Sequence, residues 1–177
     1  MIDKIGYLDY LFFKIGKQVT DFELQFQKKN GKFSKRRLFS EIGFEKKPFL
    51  KYVNARTLLA NEVVLDLDQE KKESDDDFGK RVIQTAEKVM NELLSSGYAI
   101  FNSNNGIHIH IYINEMFFMS EKERNELRKR LCYQYKADPQ KASEKVTIAL
   151  EFAKHWKSGK KKELIESDLE VFDENGR

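Results

Sequence analysis

Residues 62–113 constrain the fold of this chain more than any other segment. The segment opens with an apolar strand at 62–68, and apolar residues with helical spacing follow between 82 and 93. Two further apolar strands, at 98–102 and 107–113, are separated by a short polar turn. A strand, a helix and a hairpin in this order predict a split βαβ core. We therefore expect an α+β fold: a mixed or antiparallel sheet with a split βαβ, RRM-like core and surrounding helices.

The first strand ends in two acids, Asp66 and Asp68. Alternate residues of a strand lie on the same face, so the two carboxylates point the same way. Two carboxylates on one face repel each other unless a cation lies between them. Mg²⁺ or Mn²⁺ suits such oxygen ligands. The pattern predicts a metal site, and replacing both acids by alanine is expected to leave the metal-free fold intact or more stable.

Composition narrows the class of protein. A chain of 177 residues is expected to form one domain, with a helix and hairpin part at 1–60 and a core at 61–165. The net charge is only +3, so any nucleic-acid surface must be local. The single cysteine, Cys132, excludes an internal disulfide and a zinc ribbon, and no zinc is expected. Without a signal-peptide pattern or a run of about 18 apolar residues, we expect a cytoplasmic protein with no membrane partner.

Further polar segments suit a phosphate-rich substrate. The turn from Ser103 to Gly106 can offer backbone amides to an anion, because a glycine permits close approach. His108 follows on the next strand, and Asp138 precedes a proline downstream. A basic segment at 155–160 can neutralise triphosphate charge.

The order and spacing of these motifs resemble the archaeo-eukaryotic primase (primase-polymerase) superfamily, over roughly residues 50–165. The resemblance implies template-directed nucleotidyl transfer from nucleoside triphosphates with two Mg²⁺ or Mn²⁺ ions. It implies that the metal and catalytic residues are Asp66, Asp68 and Asp138, with Glu151 as a competing third acid. It implies that nucleotide is bound by Ser103, Asn105, Gly106, His108, His155, Lys157 and Lys160.

The same resemblance implies the partners. These are a single-stranded DNA template or primer-template, NTPs or dNTPs, and an accessory domain, a primase large subunit or a helicase. Many primases carry a zinc-binding element that this sequence lacks, and initiation of a new strand often depends on such parts. Extension of a primer is therefore expected rather than independent priming.

Two other interpretations stay open at this point. His108 and His110 form a His-hydrophobic-His motif, and a Tyr-x-x-Lys motif begins at Tyr133, next to Tyr135. That pair resembles rolling-circle replication initiators and relaxases, in which a tyrosine attacks a DNA phosphate. A sheet can also bind RNA without catalysis through exposed aromatic residues, here Phe22, Phe26 and Tyr112. The run Lys35, Arg36 and Arg37 either follows a template backbone or is a solvated hairpin edge.

Overall fold

The computed structural model describes residues 2–28, 30–42, 47–93, 97–103 and 106–172. The helices are α1 (Lys4–Tyr10), α2 (Lys47–Leu50), α3 (Asp75–Glu92) and α4 (Glu121–Gln134). A π-helical segment, Leu11–Ile15, continues α1, and short 3₁₀ segments are Asn114–Phe118, Pro139–Lys141 and Glu170–Phe172. The strands are β1 (Glu23–Gln25), β2 (Arg37–Leu38), β3 (Ala55–Arg56), β4 (Glu62–Asp68), β5 (Gly97–Asn102), β6 (Gly106–Tyr112), β7 (Ile148–Ala149) and β8 (Leu164–Ser167).

The strands form two antiparallel sheets. The first sheet has the order β2-β1-β3-β7, and the second has the order β4-β6-β5-β8. In the second sheet β6 is antiparallel to both β4 and β5, so β4 and β5 run parallel with α3 connecting them. The split βαβ core and the α+β class predicted from the sequence are confirmed.

The strand register sorts the side chains of the second sheet onto two faces. Asp66 pairs with His108, and Val64 pairs with His110. These residues alternate with Leu65 and other apolar residues that point to the opposite face. One face therefore carries the acids and histidines, and the other is mainly apolar, with Tyr98 and Glu166 at the β8 edge.

Helices cover the apolar face. Val63, Leu65 and Leu67 pack with Val82 of α3 and Leu131 of α4. The first sheet, α1 and a second apolar cluster that is rich in aromatic residues lie on the other side. Both faces of the second sheet are thus covered, and polar groups on its inner face are buried unless they lie near a strand end.

Several local signals act as predicted. Gly31 has a φ of 81°, as expected of the Asn-Gly hairpin turn. Ser120 and Glu123 form the predicted capping box at the start of α4. Asp138 caps the segment Pro139–Lys141 by accepting a hydrogen bond from the Gln140 amide. No helix in the described parts of the chain is long and apolar enough to cross a membrane.

Candidate functional site

The acidic site forms where β4 ends. Asp66 and Asp68 leave the same face of β4, as predicted. The Asp138 amide donates a hydrogen bond of 2.9 Å to the Asp66 carbonyl, which anchors the segment after α4 beside the strand. Residues 72 positions apart in sequence therefore meet at this strand end.

The Asp66 carboxylate has two cationic or polar partners on one oxygen. His108 Nε2 lies 3.3 Å from Asp66 Oδ2, and Lys141 Nζ lies 3.5 Å from the same oxygen. The other oxygen, Oδ1, is buried without a hydrogen-bond partner, and so is His108 Nδ1. Buried polar atoms without partners are rare, and two of them on paired residues call for an explanation, such as an ordered water or a polar ligand.

The charges of this site influence one another. Burial raises the pKa of Asp68, and the nearby charges of Asp66 and Asp138 raise it further. Burial alone would also raise the pKa of Asp66, but His108 and Lys141 outweigh burial and lower it. The three carboxylates are thus close enough to repel one another, and Lys141 partly compensates for their charge.

The acids at this strand end are of the type that a hard divalent cation prefers, but they are not arranged as a closed metal site. Within the described ranges, no three His, Cys, Asp or Glu side chains are grouped closely enough to hold a metal ion as they stand, and Asp66 contacts His108 and Lys141. The unpartnered oxygen of Asp66 and the neighbouring charges of Asp68 and Asp138 nevertheless supply the oxygen ligands that Mg²⁺ and Mn²⁺ prefer.

The turn before β6 is closed by its own hydrogen bonds. The Ser103 amide donates to the Gly106 carbonyl at 2.8 Å, and the Gly106 amide donates to Ser103 Oγ at 3.0 Å. Those two amides serve the turn rather than an external anion. Asn105, the remaining predicted nucleotide ligand of this turn, lies outside the described residues.

Gly106 has a packing role that the sequence did not indicate. A Cβ on this residue would lie 2.1 Å from the Leu67 carbonyl oxygen and 3.0 Å from the Asp68 Cα. Only glycine lets β6 begin this close to the end of β4. The close approach fixes His108 relative to Asp66, because these two residues form the next-but-one pair along the same two strands.

Replacing Gly106 by alanine is expected to destabilise the protein by about 1–3 kcal/mol, because the new methyl group forces β4 and β6 apart. Gly79→Ala is the matched control, since Gly79 lies inside α3 with open space around it and alanine favours helices by up to about 1 kcal/mol. Chemical unfolding of both variants measures the difference. Equal stability of the two variants would contradict the packing role of Gly106.

The predicted basic segment forms a hairpin loop next to this turn. The His155 amide donates to the Lys160 carbonyl at 2.8 Å, and Lys154 bridges to Lys161. His155 and Lys160 line one small cleft together with Ser103. Lys157 and Lys160 are exposed. Four of the predicted nucleotide-binding residues, Ser103, His155, Lys157 and Lys160, therefore lie in two neighbouring loops.

His108 is less accessible than the resemblance implies. Its side chain is only 6% exposed and its ring faces Asp66. Burial, followed by the charge of Lys162, lowers the pKa of His108 to about 4, so the ring is neutral at pH 7. A neutral ring that donates from Nε2 to a carboxylate has an acceptor at Nδ1. Contact with a phosphate oxygen therefore requires rearrangement of this ring.

A buried charge cluster lies deeper on the same face of the sheet. Arg56 donates to Glu62 at 2.6 and 2.7 Å and to Glu151 at 2.9 and 3.0 Å. Lys162 Nζ donates to Glu151 at 3.1 Å. All these side chains are almost fully buried. Glu151 is thus committed to two cations in the core, whereas Asp138 adjoins Asp66, which favours Asp138 as the third acid.

His110 belongs to this cluster. Its Nδ1 lies 2.7 Å from Glu62 Oε1, and its Nε2 lies 3.0 Å from Lys162 Nζ. A carboxylate accepts and an ammonium donates, so Nδ1 carries the proton and Nε2 accepts. Both ring nitrogens are therefore engaged, which disfavours His110 as the second histidine of a metal pair with His108.

Stability is expected to fall as the pH drops from 7 towards 4. The folded-state pKa of His108, about 4, lies below the ordinary value of 6.5, so only the unfolded chain takes up this proton between those limits. Burial, then the charge of Lys162, also lowers the pKa of His110. Each such histidine lowers the free energy of unfolding by about 1.4 kcal/mol for each unit that the pH falls within that range. Urea unfolding in chelator at pH 7.5, 6.0 and 5.0 measures this slope, which His108→Gln should reduce. Stability that is flat between pH 7 and 5 would contradict it.

The two candidate nucleophiles of the nicking interpretation differ in their surroundings. Tyr133 is exposed on α4, but the Tyr135 hydroxyl donates to Glu92. Burial, then this hydrogen bond, raises the pKa of Tyr135 to about 12, which makes it a poor nucleophile.

The aromatic residues proposed as an RNA platform are also placed unfavourably. Phe22 and Tyr112 are buried in the core, so they cannot offer exposed faces for stacking. Phe26 packs edge-on against Phe49.

The Lys35–Arg37 run divides in the structure. Arg36 pairs with Glu23 at 3.0 Å, and Arg37 lies over the Phe49 ring. Lys35 and Arg37 are both exposed, and neither forms an ion pair with a described carboxylate. Arg36 is therefore committed to a contact within the protein, whereas the charges of Lys35 and Arg37 face solvent.

The sequence did not single out Lys141 or Lys162. Lys141 lies three residues after Asp138, on the same short helical segment, and that spacing is the only local signal for it. Lys162 ends a run of three lysines that looks solvated, but Lys162 is buried against Glu151 and His110 while Lys161 stays exposed.

Comparison of the chain with protein-family models, with curated proteins and with solved structures finds no match.

Proposed function

We propose that this chain is a metal-dependent nucleotidyltransferase that extends a DNA primer on a template. The observation that carries the proposal is the meeting of Asp66, Asp68 and Asp138 at one strand end, where Asp66 Oδ1 and His108 Nδ1 are buried without partners. Three carboxylates next to a lysine-rich loop are the combination that transfer from a nucleoside triphosphate requires: oxygen ligands for cations and cations for phosphate.

Asp66, Asp68 and Asp138 are the residues that would hold Mg²⁺ or Mn²⁺. When bound, the ions activate the primer 3′-hydroxyl and stabilise the leaving pyrophosphate. The chain's own contribution is orientation. His108 holds the Asp66 carboxylate through the 3.3 Å contact, and Gly106 fixes the spacing of the two strands that carry them. Lys141 neutralises part of the acidic charge and must share Asp66 with an incoming cation.

The basic loop is the proposed triphosphate site. Lys157 and Lys160 are exposed and free of ion pairs to described carboxylates, and His155 lines a cleft with Ser103. Ammonium groups bind phosphate oxygens through charge-assisted hydrogen bonds. The loop lies beside the turn that leads to His108, so a triphosphate there has its reacting end near the acids.

Two parallel assays on one preparation test the proposal. The first contains a labelled primer-template with Mn²⁺ and all NTPs and dNTPs, and the second contains labelled single-stranded DNA without nucleotides. We expect ladder-like extension in the first and no covalent protein–DNA adduct in the second. The double variant Tyr133→Phe with Tyr135→Phe should extend as well as the wild type. An adduct that this variant loses would assign the chain to the nicking enzymes instead.

A further inference from the structure

Positive charge is concentrated in two segments of this chain. No acid occurs between Glu23 and Glu41, where six basic residues lie, and none occurs between Glu151 and Glu163, where five lie. The rest of the chain has 21 basic and 29 acidic residues, a net charge of −8. The overall charge of +3 therefore hides two strongly basic segments on an otherwise acidic protein.

The structure joins these two segments into one surface. The ring of Phe33, in the hairpin at 26–34, packs edge-to-face against the ring of Trp156 with centroids 5.1 Å apart. The hairpin is closed by the Lys28 amide, which donates to the Lys32 carbonyl at 2.7 Å. The loop at 154–161 is closed by its own cross-strand bonds. An aromatic contact between two hydrogen-bonded loops gives a surface of defined shape.

We call five lysines of this surface the lysine surface. They are exposed, and none forms an ion pair with a described carboxylate: Lys28, Lys32, Lys35, Lys154 and Lys161. Lys161 also lines the cleft of the proposed triphosphate site, and the other four lie outside it. Lys154 and Lys161 lie opposite each other on the loop. Because no described carboxylate compensates these charges, they are available to an anionic partner.

We infer that the lysine surface binds the phosphate backbone of single-stranded DNA and leads it to the acidic site. The inference deepens the proposed function by naming where the template strand lies. The loop at 154–161 shares a cleft with Ser103, and the turn at Ser103 ends where Gly106 meets Asp68. A DNA strand that crosses the lysine surface therefore passes Ser103 and Gly106, and Gly106 adjoins Asp68 of the acidic site.

The absence of exposed apolar anchors argues against a lipid surface. A peripheral membrane site usually combines basic residues with exposed apolar side chains. The exposed large apolar residues of the described chain all lie outside 26–35 and 154–161. Lysines without such anchors suit a polyanion whose binding is driven by release of counterions.

Binding of a fluorescein-labelled 20-nucleotide oligothymidylate, measured by anisotropy in EDTA without nucleotides, tests the inference. The variants are Lys32→Gln with Lys35→Gln on the hairpin, and Lys154→Gln with Lys161→Gln on the loop. The control is Lys88→Gln with Lys129→Gln, which removes the same charge from exposed positions on α3 and α4, the helices of the opposite face. The titrations are repeated from 50 to 300 mM NaCl.

Each surface variant should bind about fivefold or more weakly at 100 mM NaCl. Each should also lower the slope of log affinity against log salt by about 0.7 per lost phosphate contact. The control should stay within about twofold of the wild type. Equal losses in the control, unchanged binding by the surface variants, or binding to phosphatidylserine vesicles without binding to DNA would each overturn the inference.

The two proposals can fail separately. The binding assay contains neither metal nor nucleotide, so its result does not depend on the chemistry proposed for the acids. DNA binding that depends on the lysine surface, in a protein that never extends a primer, would remove the proposed function and keep this inference. If the protein extends a primer but its surface variants bind DNA normally, the proposed function would stand and this inference would fall.

Discussion

Replacing Asp66 by asparagine is expected to lower the rate of primer extension by about 1000-fold, the upper range for loss of one preorganised charged group. Asp66 is the carboxylate on which the site converges: His108 and Lys141 contact one oxygen, and the other is buried without a partner. Asparagine keeps the shape but loses the charge that a divalent cation requires. Steady-state extension rates in Mn²⁺ measure the change.

Glu87→Gln is the control for this variant, because Glu87 is an exposed acid on α3 and its loss should leave the rate unchanged. The stabilities of Asp66→Asn and Asp68→Asn should also differ. His108 and Lys141 favour the charged form of Asp66, so Asp66→Asn should lose about 1 kcal/mol. Asp68 is repelled by its neighbours, so Asp68→Asn should be as stable as the wild type or more so. A rate for Asp66→Asn within about tenfold of the wild type would exclude Asp66 from the chemistry.

The second large effect is expected at Arg56, in the buried charge cluster. Arg56→Met should destabilise the protein by about 3–5 kcal/mol, because Glu62 and Glu151 would remain buried without their main cation. The charge of Arg56 outweighs burial and lowers the pKa of Glu62 to about 2, which reflects how strongly the two groups interact. Urea unfolding at pH 7.5 measures the loss.

Arg36→Met is the matched control, since Arg36 also pairs with a glutamate but both side chains are 35% exposed. An exposed pair contributes at most about 1 kcal/mol. Arg56→Lys should fall between the two, because lysine keeps the charge but cannot bond both carboxylates with a planar fork. If Arg56→Met lost no more stability than Arg36→Met, the cluster would not support the core.

The elements with short-range signals could be predicted from the sequence. Strand β4 has the predicted bounds because a run of apolar residues ends in two acids, and α4 begins at the predicted capping box. The side of the sheet on which Asp66 and His108 meet follows from strand alternation in β4 and β6. Asp138 was selected through the resemblance, and the structure brings it beside Asp66.

The buried cluster could not be predicted, because its members are far apart in sequence. Arg56 and Glu151 are 95 residues apart, and charged residues are read as solvated unless their partners are known. Strand β8 is short and half-exposed, so its pattern gave little signal. Gly106 was assigned to phosphate contact, whereas its nearest neighbours are the backbone atoms of β4. Each of these features depends on pairing between distant segments.

The most direct test of the central proposal is incorporation of a single nucleotide. A 5′-labelled primer annealed to a template is incubated with the wild-type protein, Mn²⁺ and one nucleoside triphosphate at a time. We predict that the primer grows by one residue and releases one pyrophosphate only when the nucleotide matches the template base. A primer that stays unextended with every nucleotide, while the protein binds the same DNA, would contradict the proposal that this chain is a template-directed nucleotidyltransferase.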